Sequence, residues 1–353
     1  MKKAGLLHSI ICILATVCLW SCGAEKALRK AEQAEALGEY FEAAKHYKKA
    51  YSKTKVKERD KRGERAFKMA ECYRRINYAS RAVGAYKNAV RYKYPEDIAL
   101  LHLADMQRMT GEYKEAAKNY KLYMEQHPED EAALNGLKAC EDATVWKKNP
   151  NRYIVKKFAL FNSRRAEYSP MYAGEDTEQL FFTSTREGVK GEDLSGITGM
   201  KSPDIFVVRK DDKGKWQKPE PLEGEVNSEY EDGACAFSPD YKTMYFTRCL
   251  VDGEAPRSAQ IYKSTRSDAT WSAPTLCELA NDTISSFAHP AVSPDGAWLY
   301  FVSDMSGGMG GLDIWRIAIT GEEFGGVENL GAAINTQGNE MFPTFRPNGD
   351  LYF

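Results

Sequence analysis

The stretch VSPDGAWLYFVS, residues 292–303, decides how the second half of the chain is read. Pro294, Asp295 and Gly296 are turn formers, and the run from Trp298 to Val302 is apolar and mostly aromatic or β-branched, which reads as a strand leaving a tight turn. The same phrase recurs as FSPDYKTMYFT at residues 237–247 and RPNGDLYF at 346–353. Its apolar triplets begin at Leu180, Met244, Leu299 and Leu351, spaced by 64, 55 and 52 residues. A second series, DIF at Asp204, QIY at Gln260 and DIW at Asp313, keeps step with the first, and so does a third made of Asn162, Asn227, Asn281 and Asn335.

A period of about 54 residues with about four strands per unit predicts a β-propeller, in which each small sheet buries its faces against its neighbours. The two SPD phrases resemble the PD40 blade of periplasmic TolB-like propellers. In such a blade, Asp and Gly make the turn between the first two strands and the aromatics pack between sheets. Residues 154–160 (IVKKFAL) read as an outer strand without a blade of its own, expected to complete the last blade. The chain reaches only the second strand of a fourth unit, so about three and a half blades are expected, in an N-terminal portion of something longer.

The glycine-rich run SDMSGGMGGLDIW at 303–315 lies between strands two and three of its unit. A strand, not a helix, follows it, so it lacks the dinucleotide fingerprint. Its glycines are expected to supply positive backbone angles in a loop. Asp304 and Asp313 fall short of the six or more oxygens that calcium takes, and no metal site is expected.

The first half has a different period. LGEYFEAAKHYKKAY, INYASRAVGAYKNAV and TGEYKEAAKNYKLYM start 39 and then 34 residues apart. They align Ala43, Tyr47 and Ala50 with Ala82, Tyr86 and Ala89, then with Ala116, Tyr120 and Tyr123. Offsets of four and three place each trio on one helical face. Alanine lets paired helices approach, and the tyrosine ring fills the gap left between them. This resembles the tetratricopeptide repeat, with Gly38 and Gly111 at the helix turns and Asn77 where the second unit lacks a glycine. A last helix over about residues 129–146 would cap the stack. Such stacks bind peptides or partner proteins in a groove lined by their first helices. Arg74, Arg75 and Arg108 are expected there, with Arg74 and Arg108 one repeat apart, facing an acidic partner or a terminal carboxylate.

The chain starts MKKAGLLHSIICILATVCLWSCGAEK. Two lysines and an apolar run of about 16 residues, short of the roughly 20 that span a bilayer, read as an export signal at residues 1–21. LWSC resembles the bacterial lipobox. That implies acylation of Cys22 and durable membrane attachment. The remaining cysteines, Cys72, Cys140, Cys235, Cys249 and Cys277, make no zinc spacing. Small buried apolar roles are expected for them, with a Cys235–Cys249 disulfide as the alternative.

The 353 residues carry a net charge of only -1, but the halves differ. Residues 23–150 hold 27 Lys/Arg against 20 Asp/Glu, and residues 151–353 hold 20 against 30, giving +7 and -10. Neither is the basic, aromatic-interleaved stripe of a nucleic-acid binder. With no HExxH, GxSxG or P-loop, no catalytic residues and no cofactor are expected. DTI at Asp282 resembles the O-glycosylation acceptor of Bacteroidota, which implies a sugar on Thr283.

The expected architecture is therefore multidomain. It has a signal at 1–21, an all-α tetratricopeptide domain at 22–146, a linker at 147–153 and an incomplete all-β propeller at 154–353. The combination resembles Bacteroidota envelope lipoproteins of the OmpA family, including accessories of type IX secretion. The resemblance implies a non-enzymatic scaffold on the periplasmic side of the outer membrane, held by Cys22. Its implied partners are envelope or secretion proteins, with peptidoglycan bound through a later domain. The rival readings are a propeller gating a prolyl-oligopeptidase-type hydrolase beyond residue 353, and a TolB-like or glycan-binding propeller.

Overall fold

The computed structural model describes residues 23–174, 177–191, 193–250, 258–266, 268, 270–321 and 323–353. The export signal and Cys22 lie outside the described residues. Two compact units result: one runs to Val155 and includes Ser195–Gly199, and the other holds Lys156–Leu194 and Met200–Phe353.

The first unit contains α1 (residues 23–36), α2 (Tyr40–Lys53), α3 (Arg59–Arg75), α4 (Ala79–Arg91), α5 (Ile98–Met109), α6 (Tyr113–Met124) and α7 (Glu131–Lys148). The alanine–tyrosine trios form its core. Tyr47, Tyr86 and Tyr120 are wholly buried, on faces that keep alanine at the closest approach. Helices α1, α3 and α5 end in the same way. Gly38, Asn77 and Gly111 all adopt positive φ, and the next residue's N–H reaches back five positions, Glu39 to Ala34, Tyr78 to Tyr73 and Glu112 to Gln107, at 2.8–2.9 Å. This is the Schellman cap, and Asn is the non-glycine residue that tolerates it best. The helices are thus tetratricopeptide-like repeats. The capping helix α7 starts at Asp130, whose carboxylate accepts the Ala133 N–H at 2.9 Å. It can lie against α6 because Gly136 has no side chain, and a Cβ there would enter the Tyr120 ring.

The second unit is a series of antiparallel meanders. The first sheet is β1 (Glu167–Ala173), β2 (Gln179–Ser184), β3 (Asp204–Arg209) and β4 (Glu220–Pro221). The second is β5 (Glu231–Phe237), β6 (Thr243–Cys249), β7 (Ala259–Thr265) and β8 (Thr275–Leu276). The third is β9 (Phe287–Val292), β10 (Trp298–Ser303), β11 (Asp313–Thr320) and β12 (Glu323–Asn329), and β13 (Thr344–Phe345) pairs with β14 (Leu351–Tyr352). The leucine and methionine series falls on the second strand of each sheet and the Asp/Gln series on the third. The SPD turns behave alike: Ser238 and Ser293 hydroxyls donate to Asp240 and Asp295 at 2.6 and 2.5 Å, and accept the N–H of Thr243 and Trp298.

One recurrence escaped the sequence patterns. Ser169, Ala234, His289 and Phe342 all have φ near +50°, at the same place in or before the first strand of each unit. In β1, β5 and β9 the ladder shifts register there. The bulge turns a backbone N–H out of its own sheet. Ala234 N–H donates to the Thr183 hydroxyl on β2 at 2.8 Å, and His289 N–H to the Thr247 hydroxyl on β6 at 2.9 Å. The second and third sheets are thereby each pinned to the one before. Apolar clusters seal the same contacts, Phe181 with Phe237 and Phe246, and Ile261 with Leu299 and Phe301.

Two expectations and one alternative need correction. Residues 154–160 form no strand, and Ile154 and Val155 are 82% and 97% exposed, because among the described residues no strand edge pairs with them. Cys235 and Cys249 form no disulfide with each other, since the β5–β6 register sets Cys249 opposite Glu231. In the glycine-rich run only Gly307 has positive φ. Gly310 and Gly311 are glycines because a Cβ would strike the backbone of residues 336–338 or the side chain of Asn339.

Candidate partner-binding groove

Arg74 and Arg108 stand one repeat apart at the ends of α3 and α5, but both are engaged inside the stack. Glu71 accepts the Tyr86 hydroxyl, Arg74 Nη2 at 2.8 Å and His102 Nδ1 at 2.6 Å. Asp105 accepts the Tyr120 hydroxyl at 2.6 Å, and Arg108 donates to that hydroxyl at 3.3 Å. Burial alone would raise the Glu71 pKa, but the His102, Arg74 and Tyr86 donors outweigh it and hold it at about 2. Burial, followed by the neighbouring carboxylate, raises both tyrosine hydroxyls. These arginines therefore brace the repeat before they can face a partner. Arg75 is exposed and lies over the Tyr40 ring at 5.3 Å. The acids of the second and third trios were legible as Glu71 and Asp105, 34 residues apart and each 15 before its tyrosine, whereas Tyr47 donates to Glu35, 12 before it, at 2.5 Å.

A second surface was not anticipated. Helices α2, α3 and α4 leave a groove of about 550 Å³ floored by Phe41, Tyr51, Met69 and Tyr73. Lys45, Lys48 and Arg81 edge it. Lys45 pairs with Glu42 at 3.0 Å. The Arg81 guanidinium is held over the rings of Phe41, Tyr73 and Tyr78 at 5.8, 5.7 and 5.0 Å. Among the described residues neither Lys48 nor Arg81 has a carboxylate partner. An aromatic floor with cations at its edge takes an acidic segment carrying an apolar side chain.

In the sheet unit the bulge residues surround an apolar pocket of about 340 Å³ lined by Ser169, Pro170, Ala234, His289, Pro290 and Phe342 among others. His289 stacks on Phe342 with ring centres 3.8 Å apart, and burial depresses its pKa to about 4, so the imidazole is neutral. Among the described residues the buried Nδ1 of His289 and Oγ of Ser169 have no hydrogen-bond partner.

The aspartates that open β3 and β11 have unlike surroundings. Asp313 accepts N–H groups of Met309 at 2.6 Å and Gly310 at 3.2 Å and the Asn329 amide at 2.9 Å, so it ties down its own loop. Among the described residues Asp204 accepts only Lys190 N–H, at 2.7 Å, and its buried Oδ1 has no partner, because Pro221 occupies the position of Asn329. Burial, followed by the charge of Asp232 against the Lys190 N–H, raises the Asp204 pKa to about 7. Asp304 accepts the Ser286 N–H at 2.7 Å, and no group of three or more metal-ligating side chains occurs among the described residues. Thr283 is exposed on a turn that Asp282 holds by accepting Ile284 and Ser285 N–H at 2.9 and 3.0 Å.

No family model and no curated protein matches the chain. Solved structures that resemble it include the first TPR domain of human RPAP3, 21% identical over 36% of this chain and 98% of that one, with a TM-score of 0.30. The Arabidopsis OM64 TPR domain is 16% identical over 34% and 96%, with a TM-score of 0.29. A protein of unknown function from Dyadobacter fermentans is 16% identical over 47% and 51%, with a TM-score of 0.31. At these scores the likenesses carry no argument about function, and the repeat is read from the helices' own geometry.

Proposed function

We propose that the chain is a non-enzymatic interaction scaffold whose helical unit receives an acidic, apolar-bearing segment of a partner protein. The observation that carries this reading is the groove of α2, α3 and α4, with its aromatic floor and the cations Lys48 and Arg81 at its edge. The three meanders and the opening of a fourth are read as blades of a propeller, a second surface for partners. The lipobox and the OmpA-family resemblance support reading this scaffold as one held on the periplasmic face of the outer membrane through Cys22, in an envelope or PorE-like type IX secretion assembly. A sugar on Thr283 fits its exposure on a braced turn.

Charge reversal at Arg74 and Arg108 would unsettle the repeats themselves, so the groove is tested at Lys48→Glu/Arg81→Glu. Proteins cross-linked to the wild-type chain in cells should be lost from this variant while its helical circular dichroism is kept; undiminished recovery defeats the groove reading. Cys22→Ala should remove palmitate labelling and release the chain from membranes.

A further inference from the structure

Helices α1 and α2 enclose a recess of about 290 Å³ walled by Gly23, Lys26 and Lys30 from α1 and by His46, Lys49 and Lys53 from α2. Among the described residues none of these four lysines makes an ion pair. Elsewhere in the same unit Lys45, Lys61, Lys68, Lys87 and Lys138 each do. The acids that could neutralise the recess are engaged elsewhere: Glu25 holds Arg65 at 2.7 Å, and Glu42 lies 3.0 Å from Lys45 but 3.9 Å from the His46 ring. Burial first, and then Lys30, Lys45 and Lys49 against the pull of Glu42, lower the His46 pKa. Lys53 Nζ lies against the start of α1, 2.9 Å from where a Cβ on Gly23 would stand. Gly23 is also the residue that follows Cys22.

We propose that this recess binds the phosphate headgroup of an anionic membrane lipid. Lys26 and Lys30, and Lys49 and Lys53, are exposed like-charge pairs four residues apart on their helices, a modest repulsion that a bound anion relieves. The choice of a lipid as the source of that phosphate rests on the reading of Cys22 as the acylated residue, one position from the wall. Acyl chains hold a protein to a bilayer but leave it to swivel, and a basic patch beside the anchor is the second signal that fixes its face. Each lysine near an anionic surface strengthens binding roughly five-fold. The recess would lay α1 and α2 on the membrane.

The test uses the mature chain from residue 22 with Cys22→Ser, so that no acyl chain contributes. It should co-sediment with vesicles containing phosphatidylglycerol and not with phosphatidylcholine alone. Lys26→Gln/Lys30→Gln/Lys49→Gln/Lys53→Gln should weaken that binding roughly 100-fold or more, with an unchanged unfolding transition. The His46 C2–H resonance should titrate at higher pH with phosphatidylglycerol present. Equal binding by the two proteins, or no preference for the anionic lipid, overturns the site. Displacement by inorganic phosphate at the lipid's concentration assigns the recess to free phosphate and overturns the lipid. Palmitate labelling of the wild-type chain reads acylation separately, so failure of the Cys22 reading is distinguishable from failure of the recess.

Discussion

Both units are built by repetition, but what repeats in them differs. In the helices side-chain chemistry recurs: Glu71 with Tyr86 and Arg74 is the same contact as Asp105 with Tyr120 and Arg108, 34 residues on. In the sheets, beside turn and Asn contacts that also repeat, one backbone geometry recurs at a position where the side chain changes. Ser169, Ala234, His289 and Phe342 share one left-handed conformation and have nothing else in common. The difference follows from how each kind of module meets its neighbour. Helices touch through side chains, so a buried hydroxyl must bring its partner with it. Sheets here are pinned through a backbone N–H, which any residue except proline supplies, leaving the side chain to shape the pocket.

Tyr86→Ala attacks the helical half of that contrast most directly. It should cost roughly 3–5 kcal/mol in denaturant unfolding followed by helical circular dichroism. Tyr86→Phe isolates the polar share, expected near 1–3 kcal/mol because Glu71 loses a donor inside the stack. If the phenylalanine variant is as stable as wild type, side-chain chemistry is not what repeats there.

In the sheets, Thr183→Val removes the acceptor of the Ala234 N–H and should cost roughly 1–3 kcal/mol, whereas Gln179→Ala, at the half-buried start of the same strand, should cost less. The Asp204–Asp313 pair sharpens the contrast between units of the same sheet series. The folded-state pKa of Asp204 is raised to about 7, above its unfolded value, so its contribution to stability is full below about pH 4 and declines as pH rises through 7. Asp204→Asn should abolish that portion of the decline in a melting-temperature series from pH 5 to 8, while Asp313→Asn should lower stability throughout. A wild-type curve as flat as the Asp204→Asn curve would show that Asp204 is not held in this way. The smallest effect is expected for Ala234→Gly, a gain of up to about 1 kcal/mol, because glycine occupies positive φ without the Cβ penalty. A loss there would mean that the bulge is unstrained.

Periodicity made most of the architecture legible. The triplets beginning at Leu180, Met244, Leu299 and Leu351 mark second strands because a strand buried on both faces must be apolar and must follow its turn. The Asn series was legible as a position and not as a role. Asn227 and Asn335 bond both N–H and C=O of Ile205 and Ile314, but Asn162 and Asn281 do not, being exposed. A motif beside it was missed. Ser163, Ser228 and Thr336 each place N–H and hydroxyl on the carboxylate four residues ahead, Glu167, Asp232 and Glu340. Asp282 breaks the pattern by capping Ser285 instead, at 2.7 Å. The arginine row falls on α3 and α5, and each arginine meets an acid three residues earlier on its own helix, Glu71 and Asp105, a spacing that was already there to be read in the sequence.

By itself the order of residues determined where the modules begin, which faces are apolar and which turns join them, because those properties depend on neighbours a few positions away. Tertiary structure alone decided which polar groups meet: that Asp313 is satisfied and Asp204 is not, that Gly136 admits Tyr120, and that four lysines crowd one recess. Those outcomes turn on distances between segments tens of residues apart, where one ångström separates a bond from an orphan.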